Sequence, residues 1–248
     1  MRDLLRADLA RLFRNKLLYL GTVCAFAITF WFTGQAKYMN ILSRPETDFD
    51  YSRLASLGIP AFLAVFTPLF IGVEYRDGTI RNKLITGKTR TQIYLSSVIV
   101  TALAVLIMTA AWLAGAATGA DTLPSAGVIA ISTAKTIAYN IAGISVLVLI
   151  SYAVTNYQNA LGFEFTLFQT GAFGALALQG LMVIAANPIM PLLKFILNLN
   201  PLGQWLLDSP IGDYEAKLPV PVQFAMSVFI LAAMTFFGIR MLNKKDIR

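Results

Sequence analysis

The chain has 248 residues, of which 57% are hydrophobic and only 13% charged, and its mean hydropathy is +0.66. That is too little charge to cover a globular surface in water, where about 25% is usual, so a soluble enzyme is excluded. Histidine is absent, which excludes His-based triads, HExxH zinc sites and His-held haem, and the lone Cys24 excludes an intrachain disulfide or a thiolate cluster.

The opening, MRDLLRADLARLFRNK, is amphipathic: Leu5, Leu9, Leu12 and Phe13 share one helical face and Arg6, Arg11 and Arg14 lie largely opposite. It predicts a helix in the membrane interface leading into an uncleaved first span, about 17–35. Apolar runs of roughly 18 residues or more, each long enough to cross the hydrocarbon, follow in order. The second span is expected at 57–73, with Pro60 near its start and Pro68 inside it, and the third at 93–119. A longer apolar stretch begins at 126, but Lys135 argues for starting the fourth span at about 136 and ending it at 154, with the front part at the interface. The fifth is expected at 161–185 and the sixth at 221–242. Between them, residues 187–219 are apolar in pieces and broken by Pro188, Pro191, Pro201 and Pro210, which predicts short broken, re-entrant helices rather than a seventh crossing. The expected fold class is therefore an all-α membrane protein with six transmembrane helices, forming a single transmembrane domain over 1–248 with no internal repeat.

The net charge of +7 is topological. The amino end carries Arg2, Arg6, Arg11, Arg14 and Lys16, the loop between spans two and three carries Arg76, Arg81, Lys83, Lys88 and Arg90, and the tail carries Arg240, Lys244, Lys245 and Arg248. Fourteen of the 20 basic residues thus fall on one side, which the positive-inside rule makes cytoplasmic, with both termini there. The other side holds Lys37, Arg44, Arg53, Lys135, Lys194 and Lys217 among seven acids (Glu46, Asp48, Asp50, Asp121, Asp208, Asp213, Glu215). No nucleic acid is needed to explain the basic balance.

The loop between spans two and three is the most informative segment. Asp77-Gly78 is a turn signal, Thr79 is the expected helix N-cap, residues 80–86 suffice for about two turns, and Gly87 is the expected stop. Such a helix is expected to show Ile80, Leu84 and Ile85 on one face, flanked by Arg81 and Lys83, a shape that suits a groove on a partner protein. A solvated basic loop would meet the charge pattern alone, but not the apolar face.

The pattern E-x-x-x-G-T-x-R-N-K-L-x-x-G-x-x-R over residues 74–90, followed by an apolar span, resembles that of bacterial ABC type-2 exporter permeases of the drug and antimicrobial-peptide export or immunity type. The amphipathic amino end, six spans, broken segment before the last span and short basic tail are similar to that family too. The resemblance implies that the loop forms a coupling helix docking on a separate ATPase subunit, which binds the ATP and Mg while this chain holds no cofactor. It implies a working unit with a second permease chain, as a homo- or heterodimer, in the bacterial inner membrane. Carried onto this chain, Ile80, Arg81, Lys83, Leu84 and Ile85 face the ATPase, Glu74 and Arg90 frame the loop, and Gly78, Thr79 and Gly87 shape it. Many relatives have a lysine at the start of span three where this chain has Ser96-Ser97.

The chain has no GxxxxGK[ST] loop, so nucleotide is expected on another polypeptide. No catalytic or metal-ligating set is expected: without His, EExxxR or a GxSG-type site, the familiar intramembrane enzymes are disfavoured. The remaining alternative is an ATP-independent secondary transporter or channel subunit. Outside the loop, Lys135 is expected to snorkel to the outer interface and Glu164 to take an interfacial or partner-facing place. Gln169, Gln179 and Asn140 are expected to bond between helices, and Gly115 and Gly119 form a GxxxG that suits close helix packing. Phe30, Trp31, Phe32 and Trp205 suit interface belts or packing.

Overall fold

A computed structural model describes residues 1–35, 38, 47–154, 156–184, 189–212 and 216–245. It is 86% helical and has no strand among the described residues, an all-α membrane protein with six helices long and apolar enough to cross a bilayer. Lys37, Arg44, Glu46, Asp213, Glu215 and Arg248 from the charge count, Pro188, and the expected end of span five at 185 lie outside the described residues.

The first helix, α1 (Arg2–Phe13), buries Leu4, Asp8 and Leu12, while Leu5 and Leu9 pack at the edge of the core. The expected apolar face is thus turned by one residue, because Asp8 is drawn inward; Phe13 is left about half exposed. The chain then turns at Asn15, whose Oδ1 accepts from Leu17 N–H at 2.9 Å and caps α2 (Lys16–Gly34), the first span. The short α3 (Phe49–Ala55) and α4 (Gly58–Arg76) together make the second span, Phe49–Arg76, with Pro68 inside α4. After the loop helix α5 (Thr79–Ile85), a capping box of Thr89 and Gln92 starts α6 (Arg90–Gly119), the third span. The fourth, α7 (Ala126–Ala153), is one continuous helix that begins ahead of Lys135 rather than near Thr136. The fifth is α8 (Tyr157–Ile184).

The broken segment is as expected: α9 (Met190–Leu199) and α10 (Pro201–Asp208) meet at Asn200. Pro201 has no N–H to continue α9, and the Asn200 Oδ1 accepts from Leu202 N–H at 3.0 Å, so the same residue ends one helix and caps the next. The final span is α11 (Val220–Lys244).

Spans two, three and four form the interior, and α2, α8 and α11 form the rim, with Phe173 and Phe229 standing outward as lipid-facing residues do. The GxxxG pair packs within the chain. A Cβ at Gly115 would lie 2.6 Å from the Phe26 carbonyl oxygen, and one at Gly119 the same distance from that of Phe30, so both glycines let α6 lie directly on α2. Thr29 and Thr33, opposite them, return their hydroxyls to carbonyls of their own helix at 2.7 Å.

At the end of the bundle away from α1 and α5, Trp205 of α10 donates to Ser56 Oγ at 3.0 Å, and Lys135 meets Asp208 at 2.9 Å with Ser132 also on that carboxylate. Lys135 is therefore an ion-paired residue, not a snorkelling one: both partners' side chains are close to nine-tenths buried. Burial lowers the nearby Lys217 ammonium from 10.5 to about 8, Asp208 opposing the shift and Lys135 and Arg53 adding to it. Between those two values the unfolded chain binds this proton more tightly than the folded one, so the Lys217 contribution to stability grows as pH rises from 8 to 10.5 and is flat below 8. Unfolding midpoints at these two pH values should rise more in the native chain than in Lys217→Met.

Candidate functional site

The loop between spans two and three closes the end of the bundle that carries α1. The turn at Asp77-Gly78 forms because Gly78 takes a left-handed φ of 65°, and it is Gly78, not Thr79, that precedes the first helical residue; the Thr79 side chain makes no cap bond. At the other end Gly87 has φ 81°, with Gly87 N–H donating to Leu84 O at 3.0 Å and Lys88 N–H to Lys83 O at 3.1 Å. This is a Schellman stop, the end expected for that glycine.

The three apolar residues of α5 do not share a face. Ile80 is 1% exposed and Leu84 packs against the core, whereas Ile85 is 73% exposed. Lys83 also points inward, so the outer face of α5 is Arg81, Asn82 and Ile85.

The inward turn has a clear cause. Lys83 forms ion pairs with Glu74, at the end of α4, and with Asp8 of α1 at 2.8 Å. Glu74 is 1% exposed and also pairs with Arg11 at 2.6 Å; Asp8 further accepts from Ser96 of α6, Oγ to Oδ2, at 2.6 Å. Two carboxylates and two cations from three helices thus form a neutral buried cluster, with Ser96 closing it from a fourth. Burying any of these charges singly would cost several kcal/mol, so the cluster holds only as a set. The remaining Arg11 guanidinium nitrogens, which lack hydrogen-bond partners, are served by the Phe70 ring 3.9 Å below the guanidinium carbon. Ser96 brings a neutral donor to the cluster, where a lysine would add a third cation.

Around this cluster, two cations stop helices. Arg90 donates to the carbonyls of Leu242 and Asn243 at 3.2 and 2.8 Å at the end of α11, and Lys245 donates to those of Tyr152 and Ala153 at 2.6 and 2.9 Å at the end of α7. Both place positive charge at a helix C-terminus, where free carbonyls favour it. Burial lowers the Lys245 ammonium from its ordinary value. Tyr152 packs against Tyr75 and Tyr94 and shares a 2.8 Å hydrogen bond with Ser97. The long helices α4, α6, α7, α8 and α11 are therefore each tied to α5, directly or through one neighbour.

Of the residues singled out from sequence, Glu74, Ile80, Lys83 and Leu84 converge at the inner side of α5, Arg81 and Ile85 lie on its outer side, and Arg90, at the start of α6, turns away to the end of the last span. Sequence reasoning missed Asp8, Arg11, Ser96, Tyr152 and Lys245 as site residues. Asp8 carried a signal: it falls on the Leu4–Leu12 stripe, where an acid makes sense only with a buried partner.

Other expectations are settled elsewhere in the bundle. Glu164 is not partner-facing: it is fully buried and accepts from Ser151 of α7 at 2.6 Å, leaving its Oε2 without a partner. Gln179 bonds to the Ile211 carbonyl at 2.9 Å, Asn140 donates to Thr136 of its own helix, and Gln169 is exposed. No group of three metal-ligating side chains occurs among the described residues. Neither a scan of protein-family models nor a search of curated proteins returns a match to this chain.

Proposed function

We propose that this chain is the membrane-spanning permease subunit of an ATP-driven ABC exporter, and that the outer face of α5 is its docking surface for a separate ATPase. The observation that carries the reading is a short helix at the end of the bundle, held rigidly from within by the Asp8–Lys83–Glu74–Arg11 cluster, that offers an apolar tip (Ile85) beside a cation (Arg81). A helix so anchored transmits a push to α1, α4 and α6 together, which is what coupling of ATP-driven closure to span movement requires. On this reading the basic end is cytoplasmic, ATP and Mg bind the partner, a second permease chain completes the unit in a bacterial inner membrane, and the cargo is an amphipathic peptide, drug or lipid-like compound. This narrows the docking set expected from sequence to Arg81, Ile85 and their exposed neighbours, and gives Ile80, Lys83 and Leu84 an anchoring role.

Affinity purification of the tagged chain from its native membranes in mild detergent tests the reading. A stoichiometric ATPase should accompany the native chain and be reduced at least about tenfold with Ile85→Asp, an exposed position whose change leaves the fold intact. Recovery of folded protein with no ATPase in either case would overturn it. One observation favours an ATP-independent secondary transporter instead, the buried Glu164 with one oxygen unpartnered; loss of transport in Glu164→Gln with no ATPase present would select that alternative.

A further inference from the structure

A cavity of about 310 Å³ lies between α4, α7 and α8, closed at one end by the α9–α10 break at Asn200 and Pro201. Its wall is almost wholly apolar, including Leu63, Ile144, Leu147, Phe168 and Leu202, and no charged residue lines it. Leu167, on the α8 side, is 38% exposed, so the cavity reaches the rim of the bundle there.

Three polar side chains line it, and two are satisfied. The Tyr139 hydroxyl lies within hydrogen-bond reach of Ser56 and Thr136, and Asn200 bonds Gly171 O and Leu202 N–H through its two amide ends. Asn140 differs. It is 2% exposed, its Nδ2 donates to Thr136 O at 2.8 Å, and its Oδ1 has no partner. The amide cannot be turned to hide this, because its nitrogen must face the Thr136 carbonyl. A buried acceptor left unmade costs free energy that a donor in the cavity would recover.

We infer that this cavity is a binding site for a neutral amphipathic molecule, entering from the bilayer beside α8, with an apolar body and one hydroxyl or amide N–H that donates to Asn140 Oδ1. Charged ligands are disfavoured because nothing in the wall would compensate them. The volume is within the range of small-molecule sites. The inference does not depend on an ATPase partner.

The full chain in lipid nanodiscs, irradiated with a diazirine-bearing long-chain alcohol or with its methyl ether, tests the site. The alcohol should label residues 139–147 and 167–171, and should exceed the ether there by roughly two- to tenfold, the range of one net hydrogen bond. Asn140→Leu should erase that preference while leaving ether labelling in place. Gly143→Phe should abolish labelling by both, since a Cβ at Gly143 meets only the Pro201 side chain, at 3.9 Å, and the ring has the cavity to fill. Equal labelling by alcohol and ether in the native chain, adducts spread over the outer faces around Phe173 and Phe229, or labelling unchanged in a folded Gly143→Phe would each overturn the proposal. If Gly143→Phe does not fold, the native alcohol-to-ether ratio and its response to Asn140→Leu decide alone.

Discussion

Lys83→Met is expected to destabilise the chain by about 3–5 kcal/mol, more than any other single change on α5. The side chain is of similar length, so the loss is electrostatic rather than steric. Among the described residues Lys83 is the one cation that touches both carboxylates of the cluster: without it Asp8 keeps the Ser96 hydroxyl there, and Glu74 keeps Arg11. Asp8→Asn should cost less, because the amide oxygen still accepts from Ser96 and Lys83 keeps its ion pair with Glu74. Arg81→Met, on the outer face, should stay within about 0.5 kcal/mol of the native chain, as exposed substitutions do. Unfolding curves in detergent, recorded for all three variants, check the order. Equal stability of Lys83→Met and the native chain would mean that the cluster does not hold α5 in place.

Gly115→Leu is expected to have an effect of at least similar size by a different route. Its Cβ alone would sit 2.6 Å from the Phe26 carbonyl oxygen, and the rest of the side chain would have to lie between α2 and α6. Backbone atoms cannot step aside as a flexible side chain does, so the two helices must separate along their whole contact. Overpacking of well-filled cores costs about 1–3 kcal/mol where side chains alone adjust, and separation of a helix pair exceeds that. The variant should accumulate poorly in the membrane and elute as an aggregate. Gly127→Leu, at a position where a Cβ meets nothing within 4 Å, is the matched control and should behave as the native chain does.

The parts of the fold legible in the sequence were those set by local rules. The spans follow from run length, the α9–α10 break from Pro201, and the stop of α5 from Gly87, whereas its start lies one residue ahead of the expected Thr79 cap because Gly78 takes the left-handed turn. What could not be read were contacts made across the chain. Ile80, Leu84 and Ile85 are all apolar, and nothing local says which two turn inward; Asp8, 75 residues before Lys83, decides it by drawing Lys83 and with it that face of the helix. Lys135 led to the same kind of error. A lysine within an apolar run reads as the edge of a span, yet Asp208, 73 residues on, pairs it and lets α7 continue through it. Glu164 reads as an exposed acid at a helix start until Ser151 of the preceding span is seen beside it.

The most direct test of the docking claim is photo-cross-linking from α5 in native membranes, with p-benzoylphenylalanine at position 85 and, in a separate chain, at position 80. Position 85 should yield an adduct with a protein carrying a phosphate-binding loop, and position 80 only links within this chain, because Ile80 is buried and Ile85 is not. Adducts from position 85 to lipid or to copies of this chain alone would contradict it.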